Sequence, residues 1–397
     1  MIKSVKLSTL CKMQSGGTPS RSNLDYYEGD FPWAKISDLE KSDDGYIYKT
    51  EEHITQEALQ SINNRQFQPG TLLLAMYGSV GKTAITKIHL TTNQAILGIN
   101  IIDDTVLDIK YLKYWFSTIK ERLLNRAVGA ALPNISLGIV KDLEIPLPTL
   151  LQQQKIANIL DAADALRQND KALIAKYDEL TQALFMDMFG DPYLNINNWL
   201  EKTCGEFIYY LADIGSNGAN SVVSEKLVMT DTEDYALMIR TTNLTRNDFS
   251  NNIKYVSKEV YDFFKKSQIF GGEIIMNKIG SAGDFWLMPH LNRPVSLGLN
   301  QFVIRLKDIN TLYFYYFLST DYGTKNIKSR INGVATKSIT KTAVRELPIL
   351  FPPIELQNQF AERVAVIEEQ KAIAQKSLEH SESLFNSLLQ KAFKGEL

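Results

Sequence analysis

The residues Gly78-Ser-Val-Gly81-Lys82-Thr83 end like a phosphate-binding loop. In such a loop glycine amides cradle phosphates, while Lys and Thr hold a phosphate and its magnesium. The pattern needs a glycine five positions before Gly81, and Met76 stands there. A later stretch, Gly280-Ser-Ala-Gly283-Asp284-Phe285, keeps the glycines and loses the Lys and Thr. What the two share is a tight turn with glycine at positive φ. The turn is also compatible with a different chemistry. Small residues let backbone approach DNA, and Ser79 and Lys82, or Lys278 and Ser281, then reach a phosphate or a base edge.

Other polar sets recur in the same paired way. Lys35-Ile-Ser37-Asp38-Leu39 aligns with Arg240-Thr-Thr242-Asn243-Leu244 just after an expected strand. Lys and Arg match guanine in the major groove, Asn matches adenine, and Asp accepts from cytosine. The competing reading of each is a mixed polar strand end. Gly16-Gly-Thr18-Pro-Ser20-Arg21 is a polar loop that either clamps phosphate or simply turns, and Tyr77 either stacks on sugar or packs inward. Asn134-Ile-Ser136 and its equivalent Lys337-Ser338-Ile-Thr340 place hydroxyls and a lysine before a strand-like run, which suits phosphate contact. Asn93-Gln94 aligns with Asn300-Gln301.

No catalytic constellation accompanies these residues. The four histidines are scattered, and Cys11 and Cys204 form neither a disulfide framework nor a zinc set. Asp43-Asp44 and Asp103-Asp104 read as solvated loop carboxylates. Net charge is −2 and 44% of residues are hydrophobic, as in a soluble globular protein without the basic footprint usual for a nucleic-acid binder. Modest affinity for DNA, helped by a partner, is the expectation. No apolar run reaches membrane-spanning length, no secretory signal opens the chain, and a reducing cytoplasm is the expected compartment.

The elements that position these residues come in two copies. Pro148, Gln153, Ile156 and Ala157 pair with Pro352, Gln357, Phe360 and Ala361, always 204 residues apart. Gly129, Ala131, Ile135, Val140 and Leu143 match Gly333, Ala335, Ile339, Val344 and Leu347 at the same shift. A period this long indicates a duplicated domain plus helix rather than a solenoid. Strands are expected at Phe31–Ile36, Thr71–Tyr77, Ala84–Ile88 and Ala95–Ile102, with a helix over Ile109–Arg126. The segments expected are a first α/β domain over 1–147, a helix over 148–190, a second α/β domain over 191–351 and a second helix over 352–397. Ile156, Leu160, Leu166, Leu173 and Leu180 on the first helix, and Phe360, Val364, Ile367, Leu378 and Phe385 on the second, alternate at three and four as in a two-helix seam. Antiparallel helices would relate the halves by a pseudo-two-fold axis. Helices of nearly forty residues span roughly 55 Å, beyond the roughly 34–36 Å between half-sites one DNA turn apart.

These residues resemble the specificity subunit of type I restriction–modification systems along the whole chain. The likeness rests on SGGTPSRSN with Tyr26-Tyr-Glu-Gly-Asp-Phe-Pro-Trp33, the two glycine turns, the Asn-Gln dipeptides, the proline-led helix starts and the terminal LLQKAFKGEL. The resemblance implies two α/β target-recognition domains in a circular arrangement and a two-part asymmetric DNA site with a fixed gap. It also implies a non-catalytic chain with two methylation subunits and restriction subunits as partners. S-adenosylmethionine, ATP and Mg are then expected in those partners, not here. The alternative within the family is a methylation-only or fused restriction system. The rivals outside it are a nucleotide-binding enzyme and a protein-binding scaffold. The second domain opens with Asp213-Ile-Gly-Ser-Asn-Gly218 where the first has Gly-Gly-Thr-Pro, so its contacts transfer less directly.

Overall fold

The computed structural model describes residues 3–126 and 134–397; Gly129 and Ala131 of the repeat lie outside them. The chain forms two compact units, Met1–Ile174 with Ala372–Leu397, and Ala175–Lys371. Each unit therefore takes in part of both long helices, Leu150–Phe189 and Ile354–Lys394.

In the first unit, strands Cys11–Ser15, Ile96–Ile101, Leu72–Ala75, Thr83–Thr86 and Tyr46–Ile47 form one sheet in that order. A second sheet orders Glu52–Ile54, Phe31–Ala34 and Thr91–Thr92, the last two parallel. The second unit repeats this plan. One sheet orders Ile208–Ala212, Gln301–Leu306, Ile274–Asn277 and Phe285–Leu287. The other orders Lys254–Val256, Ala236–Met238, Val295–Ser296 and Gln268–Ile269. The expected strands are present, each shorter than its apolar run. The helix expected over Ile109–Arg126 is two helices, Ile109–Thr118 and Lys120–Arg126, because Ile119 leaves helical geometry at φ −104° and ψ 7°.

The larger sheet of each unit buries one face against the helices and the other in a separate core. Leu72, Leu74, Ile99, Leu112 and Phe116 share one core with Leu160, and with Phe385 and Leu389 of the second long helix. Ile274, Phe302, Tyr313 and Phe314 share the other with Phe185 of the first long helix and with Phe360 and Val364 of the second. A fully buried aromatic or aliphatic side chain contributes about 1.5–3 kcal/mol, so each unit depends on both helices for its stability. Within the first unit, Ser381 donates to Asp170 at 2.8 Å and Arg167 lies 4.0 Å over the Phe385 ring. Within the second, Phe185 and Phe360 ring centres are 5.6 Å apart and Lys371 pairs with Asp178. Rising numbers on one helix meet falling numbers on the other in both units, so the segments run antiparallel in each.

The repeated glutamines have a structural reason. Gln153 is fully buried; its amide donates to the Val106 and Pro148 carbonyls and accepts from the Asp108 amide, all at 2.9 Å. Gln357 likewise donates to Pro352 at 2.8 Å and accepts from Asn310 at 2.9 Å. Each ties the start of a long helix to the loop that caps the preceding core helix, and satisfies buried backbone groups.

The expected seam differs in its middle. Ile156, Leu160, Phe360, Val364 and Phe385 are buried, and Ile367 and Leu378 are half-buried. Leu166, Leu173 and Leu180 are instead 51%, 41% and 50% exposed. Leu166, Leu173 and Leu180 lie off the buried face of the first long helix, which Ile156, Leu160, Ala163 and Thr181 mark instead.

Candidate nucleic-acid interface

In the first unit, backbone hydrogen bonds gather the candidate loops along one edge. Gly17 donates to Thr92 at 2.8 Å, Asn93 to Ala34 at 3.0 Å, Met76 to Ala95 at 2.8 Å and Ile135 to Met76 at 3.0 Å. Tyr77 bridges Asn134. This brings together the segments carrying Thr18, Ser20, Arg21, Lys35, Gln94, Tyr77 and Asn134. Gly16 is dictated by packing, because a Cβ there would lie 2.1 Å from the Thr92 hydroxyl.

The second unit rebuilds the edge with the same bonds. Lys278 donates to Asn300 at 2.8 Å, Ile339 to Lys278 at 2.9 Å and Gly280 to Lys337 at 3.2 Å, while Ile279 bridges Ser338. The register corrects one sequence alignment. Ala75 pairs with Ile96, and Asn277 with Gln301, so Asn300-Gln301 corresponds to Ala95-Ile96 and Asn93-Gln94 to Gly298-Leu299. Gln301 is buried and accepts from Gly298 at 3.1 Å. Lys35 and Arg240 do correspond, as each caps the short helix that follows, Ile36–Glu40 and Thr241–Arg246.

The caps remove two candidates. Asp38 is buried and its two oxygens accept from the amides of Lys35 at 2.7 Å and Glu51 at 2.9 Å. Asn243 is buried, accepting from the Arg240 amide at 3.1 Å and donating to the Asp248 carbonyl at 3.2 Å. Neither is free for a base, because the helix starts need them. Ser37, half-buried, donates to Glu51 at 3.4 Å, and Thr242 is exposed.

The cations of the first edge are already compensated. Glu52 pairs with Lys35, and with Arg21 at 3.0 Å; the Arg21 guanidinium lies 4.2 Å over the Tyr27 ring. Thr18 donates to Gln94, and Ser20 exchanges a hydrogen bond with Ser22 at 2.7 Å. Sequence reasoning misses Glu52, because it meets Lys35 through the pairing of its strand with Trp33.

The Gly78–Gly81 segment is a turn between two strands, with φ of 66° and 84° at its glycines; Gly280 and Gly283 repeat it at 85° and 86°. Ser79 donates to Glu40, and Lys82 donates to the Ser42 carbonyl at 3.3 Å, where burial pushes its pKa down. Tyr77 is exposed, as are Ser281 and Lys337.

Ser136 and Thr340 precede short helices, not strands, and cap them; Thr340 accepts from Ala343 at 3.1 Å. Thr340→Ala is expected to lower stability by about 1 kcal/mol, read as a drop in the thermal midpoint. Ser338 lies just before this cap.

Lys278 is tied down. Asp213 accepts from Lys278 at 2.7 Å, from Lys341 at 2.9 Å and from Ser216 at 2.6 Å. Burial alone would raise its carboxyl, but these hydrogen bonds dominate and hold it well below the usual carboxylate range. A depressed carboxyl stabilises the fold above its unfolded value, near pH 3.9, and that contribution is lost as pH falls through the folded value. Acid unfolding of the second unit should therefore become less steep in Asp213→Asn; an unchanged pH profile would contradict the assignment.

Among the described residues no group of His, Cys, Asp and Glu is arranged to hold a metal, and no helix is long and apolar enough to cross a membrane. Both cysteines are buried and free, and burial pushes the Cys11 thiol up to about 12.

The model of the type I restriction modification DNA specificity domain matches residues 2–176 and 208–380. The MjaIX specificity subunit of Methanocaldococcus jannaschii is 26% identical over 409 residues, covering 99% of this chain and 92% of that protein. The EcoR124I/EcoR124II specificity subunit of Escherichia coli is 25% identical over 183 residues, covering 44% of each. In fold, the chain is similar to the S subunit of a type I restriction–modification system from M. genitalium, with a TM-score of 0.55, 19% identity, and 98% and 96% of the two chains covered.

Proposed function

The chain belongs to the type I restriction modification DNA specificity family, and on that premise we propose that it reads a two-part asymmetric DNA site, one part by each unit. One observation carries this reading: the two edges share a hydrogen-bond framework and differ in the side chains they present. Lys35 on the first edge corresponds to Arg240 on the second, Tyr77 to Ile279 and Lys82 to Asp284. A shared frame with different chemistry suits two different short sequences.

The cations beside Glu52 and the small negative net charge favour modest affinity for the chain alone. Two methylation subunits, with restriction subunits beyond them, would supply the remaining contacts. The exposed Leu166, Leu173 and Leu180 lie seven residues apart on one side of the first long helix, a stripe suited to a partner helix. Adenine methylation, cleavage, S-adenosylmethionine, ATP and Mg are assigned to those partners, and this chain acts without catalysis.

Footprinting of the complex with methylation subunits tests the reading. Two protected patches separated by a sequence-indifferent gap are expected. One continuous patch, or none, would overturn it.

A further inference from the structure

The two units treat one equivalent spot in opposite ways. Asp108 and Asn310 cap corresponding helices, Ile109–Thr118 and Thr311–Ser319, with the same bonds to the amides two and three residues on. Tyr111 and Tyr313 donate to the corresponding carbonyls of Pro146 and Leu350. In this register Lys110 corresponds to Leu312, Lys113 to Tyr315 and Tyr114 to Tyr316. On the long helices Asp164 corresponds to Glu368 and Arg167 to Lys371.

The first unit fills the spot with its own cations. The buried Lys113 ammonium lies 4.6 Å from the Tyr114 ring centre and 4.9 Å from that of Tyr46. Lys110 pairs with Asp161 at 2.6 Å, and Arg167 donates to Asp164 at 3.1 Å. In the second unit both lysines are gone, and Lys371 pairs with Asp178 instead. Glu368 keeps a long contact of 3.5 Å to the Tyr316 hydroxyl, and among the described residues it has no ion-pair partner. What remains is a cleft of about 850 Å³ with Trp286, Tyr315 and Tyr316 on its walls and Asp191, Asp321 and Glu368 among its carboxylates.

We propose that this cleft receives an arginine side chain of the methylation subunit, in the role Lys113 plays inside the first unit. The partner's identity rests on the function proposed above; the cation chemistry does not. Asp178, Asp191, Asp321 and Glu368 outnumber Lys371 in the lining, and this negative balance disfavours a phosphate backbone. A guanidinium lies flat on an aromatic ring while donating to a carboxylate, which a compact ammonium does less well. Met186, exposed at the cleft, adds apolar surface beside its aromatic walls, so the occupant is a protein side chain, not a free small cation.

The test titrates N-acetyl-arginine methylamide into the purified full chain and follows the Trp286 indole and tyrosine ring resonances. The neutral isostere, N-acetyl-citrulline methylamide, is the control. Saturable shifts with the arginine probe alone are expected. Glu368→Gln, at an exposed position, should weaken the probe about fivefold or more, as loss of roughly 1 kcal/mol does. Tyr315→Lys installs the lysine of the first unit and should abolish probe binding and weaken the methylation subunit at least about tenfold, with thermal unfolding as the check on folding. Equal shifts from both probes would overturn the proposal. So would unchanged partner affinity in both variants, or tighter binding of spermidine than of the arginine probe with partner affinity unchanged. A chain that binds no methylation subunit at all would refute the proposed function, and the probe titration would still decide whether the cleft takes a cation.

Discussion

Seven residues inserted after Ile174 and seven after Leu378, the corresponding point of the second long helix, are expected to move modification to sites with a longer gap. Each helix is continuous, over 40 and 41 residues, and each contributes to the core of both units. Seven residues add close to two turns, so the buried faces return nearly to register, and roughly 10 Å of rise. At about 3.4 Å per base pair the preferred gap should grow by about three. If each unit reads one half-site as proposed, binding both at once adds affinity that neither supplies alone, and a mismatch in span removes it, commonly by about a hundredfold or more. Methylation at the original spacing should fall by that order and appear at the longer one. Loss at the original spacing with no gain elsewhere, in a protein that still unfolds cooperatively, would show that the helices do not set the gap.

Lys35→Ala is expected to relax discrimination at one position of one half-site and to leave the other half-site untouched. The fold tolerates the change, because the cap of the helix at Ile36–Glu40 uses the Lys35 amide and the Asp38 carboxylate, not the ammonium. Arg21 remains beside Glu52, so that carboxylate is not left without a partner. A direct base contact distinguishes the right base from a wrong one by about 1–3 kcal/mol, roughly five- to 150-fold in relative affinity. Binding to a panel of sites differing by single bases reads this directly. Uniform weakening across the panel, with a shallower salt dependence, would make Lys35 a phosphate contact instead.

Local rules made much of the fold legible. The 204-residue shift lies in helices whose buried glutamines and aromatics are fixed by close neighbours. The glycine turns were legible because φ near 85° at Gly81 and Gly283 leaves few other residues possible. What sequence could not supply was register. The identical dipeptides Asn93-Gln94 and Asn300-Gln301 invited alignment, yet strand pairing separates them by two positions. Asp38 and Asn243 have the chemistry of base readers, and only their helix caps reveal that the backbone takes both. Glu52 carried no signal, since its meeting with Lys35 and Arg21 depends on pairing between distant strands. The leucines at 166, 173 and 180 fit a seam by period, while the cores at the two ends of each helix decide which faces are covered.

The most direct measurement maps methylated adenines on DNA modified by the methylation subunits, with and without this chain. One two-part motif with a fixed gap, methylated only when the chain is present, is the expected result. The same methylation without the chain, or a motif with no gap, would contradict it.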